Sequence, residues 1–154
     1  MTTRTLIQDL AHIPDGSEVS VSGWVDTVRD QKKVQFVILR DETGSLQLVN
    51  PATREGDDAA DTNPHARELT ESISALTQGS MLSVTGALKH DERVKLGGLE
   101  LKIASVDVAS VSLPELPIAE DSNVDKRMDW RFIDLRRPDA RLLFRVQTTF
   151  EHAI

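Results

Sequence analysis

Residues 19–50 read VSVSGWVDTVRDQKKVQFVILRDETGSLQLVN, and the alternation within them decides the architecture. Val19, Val21 and Val25 fall on one face and Ser20, Ser22 and Trp24 on the other, the period of two that a pleated strand imposes. Gly23 interrupts the pattern as a bulge or close-approach glycine does. Beyond Arg29-Asp30-Gln31-Lys32-Lys33, the run Val34 to Leu39 predicts a second strand. Asp41-Glu42-Thr43-Gly44 then supplies hairpin turn chemistry, and Ser45 to Asn50 a third strand, so the stretch is a three-stranded meander.

On the N-terminal side, Thr5 to Ile13 carries apolar residues at helical spacing behind a Thr cap and stops at Pro14-Asp15-Gly16, which predicts a short helix. On the C-terminal side, residues 51–62 mix Pro, Gly, Ala and acids without period and read as a solvated loop, with the acidic part 53–62 resembling an insertion. Asn63 and Pro64 then open an amphipathic helix over 64–78, with Ala66, Leu69, Ile73 and Leu76 at three- and four-residue spacing and Gly79 ending it. Met81 to Leu88 and Leu99 to Val111 alternate again as fourth and fifth strands. The order β-β-β-α-β-β, with its helix between strands three and four, is that of the five-stranded Greek-key OB-fold barrel, an all-β class with one or two helices. The predicted domains are the barrel over 1–110, a Pro-containing acidic linker over 111–123, and a different unit over 124–154. In that last unit, Leu142, Leu143, Val146, Phe150, Ala153 and Ile154 mark a helix from Asp139 with no stop signal, as in a longer protein cut within an element.

The chain has 154 residues, 18 Lys plus Arg, 25 Asp plus Glu and no Cys, for a net charge of −7. Without cysteine there is no disulfide framework, thiolate nucleophile or cysteine zinc cluster. No apolar run is long enough for a membrane span and no signal segment opens the chain, so the expected location is the cytoplasm, with no membrane partner. Taken alone, −7 argues against polyanion binding, because phosphate contacts need Lys and Arg. The acids are concentrated, however: residues 51–75 carry six against two bases, and 111–123 carry three against none. Residues 124–145 instead hold seven bases against four acids.

No catalytic constellation stands out. His12, His65, His90 and His152 lie in different predicted elements without ligand spacing, so no metal site is expected, and Asp57-Asp58 reads as loop solvation. The barrel's second and third strands are the usual platform for oligonucleotides and oligosaccharides. If Val37, Leu39, Leu46 and Leu48 fill the barrel, Phe36 and Gln47 point outward on neighbouring strands. An outward ring beside an amide is a base-stacking surface next to a base-edge reader. Arg29, at the end of the first strand, is placed for a phosphate or base contact. Periodicity alone leaves Phe36 equally readable as core, with Val34 and Ile38 on its side. Trp24 is either a second stacking surface or a cover for the barrel end. Lys32 and Lys33 read first as a solvated turn, second as phosphate contacts.

Two stretches carry a family resemblance. Val21-Ser22-Gly23-Trp24-Val25, Arg29, Phe36 to Asp41, Gly44 and Gln47 resemble the anticodon-binding OB domain of class IIb aminoacyl-tRNA synthetases. Arg131 to Pro138, followed by Phe144-Arg145-Val146, resembles the entry to class II motif 1 in aspartyl-tRNA synthetases, and Leu96 to Glu100 resembles the archaeal and eukaryotic-like form. The resemblance implies that Phe36 stacks on an anticodon base, Gln47 hydrogen-bonds the anticodon and Arg29 assists. It extends more weakly to Glu92 and Lys95 in the loop between strands four and five. It also implies that 124–154 begins a catalytic domain lacking motifs 2 and 3. The chain alone would then use no cofactor and catalyse nothing, while the parent would join aspartate to tRNA with ATP and Mg2+. The implied partner is an aspartate tRNA anticodon stem-loop, with asparagine tRNA also open; the parent would be a homodimer and this chain a monomer. The alternatives are an asparaginyl-tRNA synthetase domain, a sequence-indifferent single-strand binder, and a protein-interaction OB module.

Overall fold

The computed structural model describes residues 4–54, 64–119 and 121–153. The chain divides into two compact units, Met1–Pro114 and Glu115–Ile154.

In the first unit, β1 (Glu18–Asp30), β2 (Val34–Arg40), β3 (Ser45–Pro51), β4 (Met81–His90) and β5 (Leu99–Ser110) close into a barrel in the order β1-β2-β3-β5-β4. Every pairing is antiparallel except β3 with β5, whose parallel contact closes the barrel. Val21, Val37, Leu39, Leu46, Leu48 and Leu101 are essentially inaccessible. Each such side chain contributes on the order of 1.5–3 kcal/mol relative to leaving it exposed. Helix α1 (Pro64–Ser74) adds Leu69 and Ile73 to this core, with Leu76 just beyond it.

The helix stops at Ser74, short of the predicted end at 78. The chain tightens there, Leu76 N–H donating to the Ile73 carbonyl, and Gly79, at φ +88°, turns it so that its N–H reaches the Val25 carbonyl at 2.8 Å. The expected cap Asn63, the pair Asp57-Asp58 and the rest of residues 55–63 lie outside the described residues. Inward-facing Gln35 is fully buried and tied to this helix. Its amide donates to the Thr70 carbonyl at 3.0 Å and the Ser74 hydroxyl at 2.9 Å, and its oxygen accepts from Asn50 at 2.8 Å. A polar residue at a core position of β2 is thus satisfied, as burial demands.

The opening segment is a 3-10 helix, Ile7–His12, rather than a helix behind a threonine cap; Leu6 stands at the cap position and offers no side-chain bond. Its free N–H groups find partners in the β2–β3 turn: Ile7 donates to Asp41 Oδ2 at 2.9 Å and Gln8 to Thr43 Oγ1 at 3.1 Å. Asp41, 1% exposed, also accepts from the N–H groups of Thr43 and Gly44 and the Thr43 hydroxyl. Burial by itself would push this carboxyl up; the Ile7, Thr43 and Gly44 donors outweigh it and hold it below its ordinary 3.8. A depressed folded-state pKa stabilises above the unfolded value and is lost as pH falls through the folded one. Denaturant unfolding is therefore expected to show stability declining below about pH 4. Asp41→Asn should flatten that decline; equal slopes in both proteins would contradict the assignment.

The second unit contains short helices Val124–Asp129 and Arg131–Asp134 and the longer Pro138–Ala153. Asn123 Oδ1 caps the first, accepting from Lys126 N–H at 2.9 Å. The buried Asp134 carboxylate gathers Arg127 at 2.8 Å, Arg131 at 2.6 Å and Arg137 at 4.0 Å. The Arg127 hydrogen bond, against burial and with the charges of all three arginines, holds it below the usual carboxylate range. Part of the unit's local positive charge is thereby engaged internally. Among the described residues, no helix is long and apolar enough to cross a membrane.

Candidate nucleic-acid interface

The outer face of β1, β2, β3 and β5 is organised in cross-strand rows. Arg29, Phe36, Val49 and Lys102 are successive partners in one row, and Thr27, Ile38, Gln47 and Glu100 in the next. Partners in such rows sit about 5 Å apart, and adjoining rows on one face about 7 Å apart. Phe36 is half-buried on this outer face, while its neighbours Gln35 and Val37 point inward and are buried. Gln47 lies one strand and one row from it.

Arg29 reaches this face through a bulge. Val25 pairs with Leu39 and Thr27 with Ile38, so Asp26 is the extra residue and every later side chain of β1 changes face. Without it Arg29 would share the parity of Val25 and point into the barrel. Gly23, read from sequence as bulge or close approach, is the close approach: a Cβ there would lie 2.4 Å from the Arg40 carbonyl oxygen. Asp26 itself pairs with Arg40 at 3.1 Å.

A groove of about 700 Å³ runs along the second row. Thr27, Arg29, Ile38, Gln47 and Glu100 form its floor, and Arg93 and Lys95 its wall from the β4–β5 loop. Gln47 Nε2 donates to Glu100 Oε2 at 2.9 Å, leaving the amide oxygen and the second carboxylate oxygen as acceptors. In the loop, Arg93 donates twice to Asp91, at 2.7 and 2.9 Å, and holds its carboxyl well below the usual range. Arg93 is therefore largely neutralised, whereas Lys95 is exposed with no ion pair among the described residues.

Of the residues singled out in the sequence, Arg29, Gln47 and Lys95 line the groove. Phe36 occupies the adjoining row, and Trp24, paired with Arg40 and Met81 and half-buried, lies on the far side near the bulge. Lys32 and Lys33 are exposed in the β1–β2 turn, and Glu92 is exposed in the loop; none of the three lines the groove. Sequence reading missed Glu100. Inward Leu99 and Leu101 imply by parity that it faces out, but its meeting with Gln47 depends on the β3–β5 closure, which leaves no local trace.

The objection from net charge is met by how the cations are distributed. Arg4, Arg40, Arg54, Arg67, Lys89 and Arg93 each pair with a carboxylate. Among the described residues of the barrel unit, the Lys and Arg side chains without an ion pair are Arg29, Lys32, Lys33, Lys95 and Lys102. All belong to the Phe36 row, the β1–β2 turn beside it or the groove loop.

Known proteins resemble this chain over most of its length. Aspartate–tRNA(Asp/Asn) ligase from Methanopyrus kandleri is 33% identical over 144 residues, covering 91% of this chain and 31% of the relative. The enzyme of the same description from Methanospirillum hungatei is 32% identical with the same coverage. This chain thus spans about a third of the length of the curated relatives it matches. Among solved structures, the asparaginyl-tRNA synthetase from Pyrococcus horikoshii with asparaginyl-adenylate superposes with a TM-score of 0.81 at 28% identity. It covers 99% of this chain and 33% of that one. The aspartyl-tRNA synthetase from Entamoeba histolytica shares the fold, with a TM-score of 0.77 at 19% identity over 96% of this chain and 35% of that one. The tRNA anticodon family, described as an OB-fold nucleic acid binding domain, matches residues 19–109, more than half of the chain, and the chain belongs to that family.

Proposed function

We propose that the barrel binds the anticodon loop of an aspartate tRNA, as the N-terminal domain of a longer enzyme that joins aspartate to tRNA. The observation that carries the reading is the outer face itself, where a half-buried Phe36 adjoins the Gln47–Glu100 pair and the unpaired Arg29. Anticodon bases are unpaired, so they can be splayed onto a sheet, stacked on a ring and read at their edges by amide and carboxylate groups. The similar relatives are described as aspartate–tRNA(Asp/Asn) ligases, which supports joining aspartate to an aspartate tRNA and keeps asparagine tRNA beside it, and segment 124–154 then begins the catalytic domain. ATP and Mg2+ belong to that longer enzyme. Among the described residues no three His, Asp or Glu side chains gather as metal ligands would. The same reading makes the longer enzyme a cytoplasmic homodimer and this chain a monomer, to be checked by light scattering.

A second reading, an asparaginyl enzyme, is favoured by the likeness to the Pyrococcus horikoshii structure. One titration separates these. At fixed salt, the chain is titrated with stem-loops carrying the aspartate anticodon, the asparagine anticodon or three replaced bases, and with a DNA oligomer of equal length. Salt is held constant because phosphate contacts dominate raw affinity. The expected result is tightest binding to the aspartate loop. Tightest binding to the asparagine loop would transfer the assignment, and equal or absent binding to all four would remove it.

A further inference from the structure

Lys102 completes a row whose other end is Arg29. The register places it opposite Val49 on β3, and Val49 opposite Phe36 on β2, so Lys102 stands two strand spacings, about 10 Å, from Phe36. Its exposure is set by its neighbours: Leu101 and Ile103 are buried inside the barrel, and Lys102 between them is exposed on the outside. It has no ion pair among the described residues, although Glu100 lies two positions away and is hydrogen-bonded to Gln47 instead. Its backbone is fixed as well. β4 passes so close that a Cβ on Gly86 would sit 2.1 Å from the Lys102 carbonyl oxygen, and Ala87 is its partner on that side.

Charge on the outer face is arranged by strand and row. Across β1, β2, β3 and β5 the Phe36 row holds two cations without an ion pair among the described residues, Arg29 and Lys102; the Gln47 row holds Glu100, which faces Lys89 on β4, and adjoins Asp26 and Asp91, which are paired with Arg40 and Arg93, and the loop's Lys95. A polyanionic strand crossing this face meets Arg29 and Lys102 on either side of Phe36, while bases that offer hydrogen-bond donors find the acceptors of Gln47 and Glu100 in the adjoining row. We infer that Lys102 is a phosphate contact: it and Arg29 hold the backbone of the nucleotide stacked on Phe36 from opposite sides. The inference rests on the anticodon-loop reading above.

A phosphate contact and a stacking contact respond differently to salt. Each neutralised phosphate of a single strand adds about 0.7 to the slope of log affinity against log salt. The stem-loop with the aspartate anticodon and the one with replaced bases are titrated into the wild-type chain, Lys102→Gln and Phe36→Ala across 50–200 mM salt. Arg67→Gln, on the helix, serves as a control, and thermal melts confirm that each variant is folded. Lys102→Gln is expected to lower the slope by about 0.7, so that its deficit against wild type shrinks about threefold from the lowest to the highest salt. The deficit should be equal for both loops, because a phosphate contact carries no sequence information. Phe36→Ala should weaken binding with no change of slope. An unchanged slope in Lys102→Gln, while Phe36→Ala still weakens binding, overturns the Lys102 assignment and leaves the anticodon reading standing. A lowered slope with indifference to the loop bases upholds the phosphate contact and overturns the reading, and no binding to either loop overturns both.

Discussion

Gly86→Ala is expected to lower the thermal unfolding midpoint of the barrel by about 10 °C or more. The methyl group it adds would lie 2.1 Å from the Lys102 carbonyl oxygen and 2.9 Å from its carbon. Both are backbone atoms of the adjacent strand, so no rotamer change can relieve the contact. β4 and β5 must separate at a point where their register already shifts, between Thr85 and Gly86. Overpacking of a well-packed interior costs about 1–3 kcal/mol, and a clash between two backbones belongs at the top of that range. Gly23→Ala, 2.4 Å from the Arg40 carbonyl oxygen, should behave alike. Gly16 separates the causes. It adopts φ +79° with nothing within 4 Å of the added atom, so Gly16→Ala meets only conformational strain of about 1–2 kcal/mol. Melts of the three variants should rank Gly86→Ala and Gly23→Ala well below Gly16→Ala; a common, small shift in all three would mean that the strands are less tightly opposed than described.

Phe36→Ala is expected to weaken binding of the anticodon stem-loop by about 1–3 kcal/mol, roughly 5- to 150-fold. The ring's value to a ligand lies in its π face, which any base can cover. Phe36 faces outward, so its removal leaves no cavity among Val37, Leu39 and Leu48, and the melt of the variant should stay close to that of the wild type. Phe36→Leu keeps apolar cover over the strand while removing the aromatic face, and should lose nearly as much affinity as Phe36→Ala. Full affinity in Phe36→Leu would make the side chain an apolar cover; full affinity in both would remove it from the interface.

The barrel was legible because its strands obey a local rule. Once Val37, Leu39, Leu46 and Leu48 are assigned inward, the side of Phe36 and Gln47 follows from the pleat; periodicity alone leaves Phe36 an equal claim to the core, the family resemblance turns it outward, and Gln35 is buried in its place. Gln35 was unreadable as a core residue because a buried amide needs partners, and its partners, Asn50 and Thr70, come from β3 and the helix. The bulge at Asp26 was invisible for a related reason. A one-residue insertion in a ladder is fixed by both strands, and Gly23 has the composition of a bulge but the duty of a close crossing. Arg29 is readable as a site residue, whereas the bulge that turns it outward is not. Glu100 and the Lys102 row depend on the parallel β3–β5 contact, between strands far apart in sequence, and no local pattern encodes that register. The short opening helix is present as 3-10 turns over Ile7–His12, but its cap was not readable, because the acceptors Asp41 and Thr43 lie in a distant turn.

The anticodon loop is expected to lie on the outer rows of β1, β2, β3 and β5. Backbone amide chemical shifts of the isotopically labelled chain, followed while the aspartate anticodon stem-loop is added, test this most directly. The largest changes are expected at residues 27–38, 45–49 and 93–102, with little change along the helix Pro64–Ser74. Changes concentrated on that helix or in residues 124–153, with the outer rows unmoved, would contradict the account.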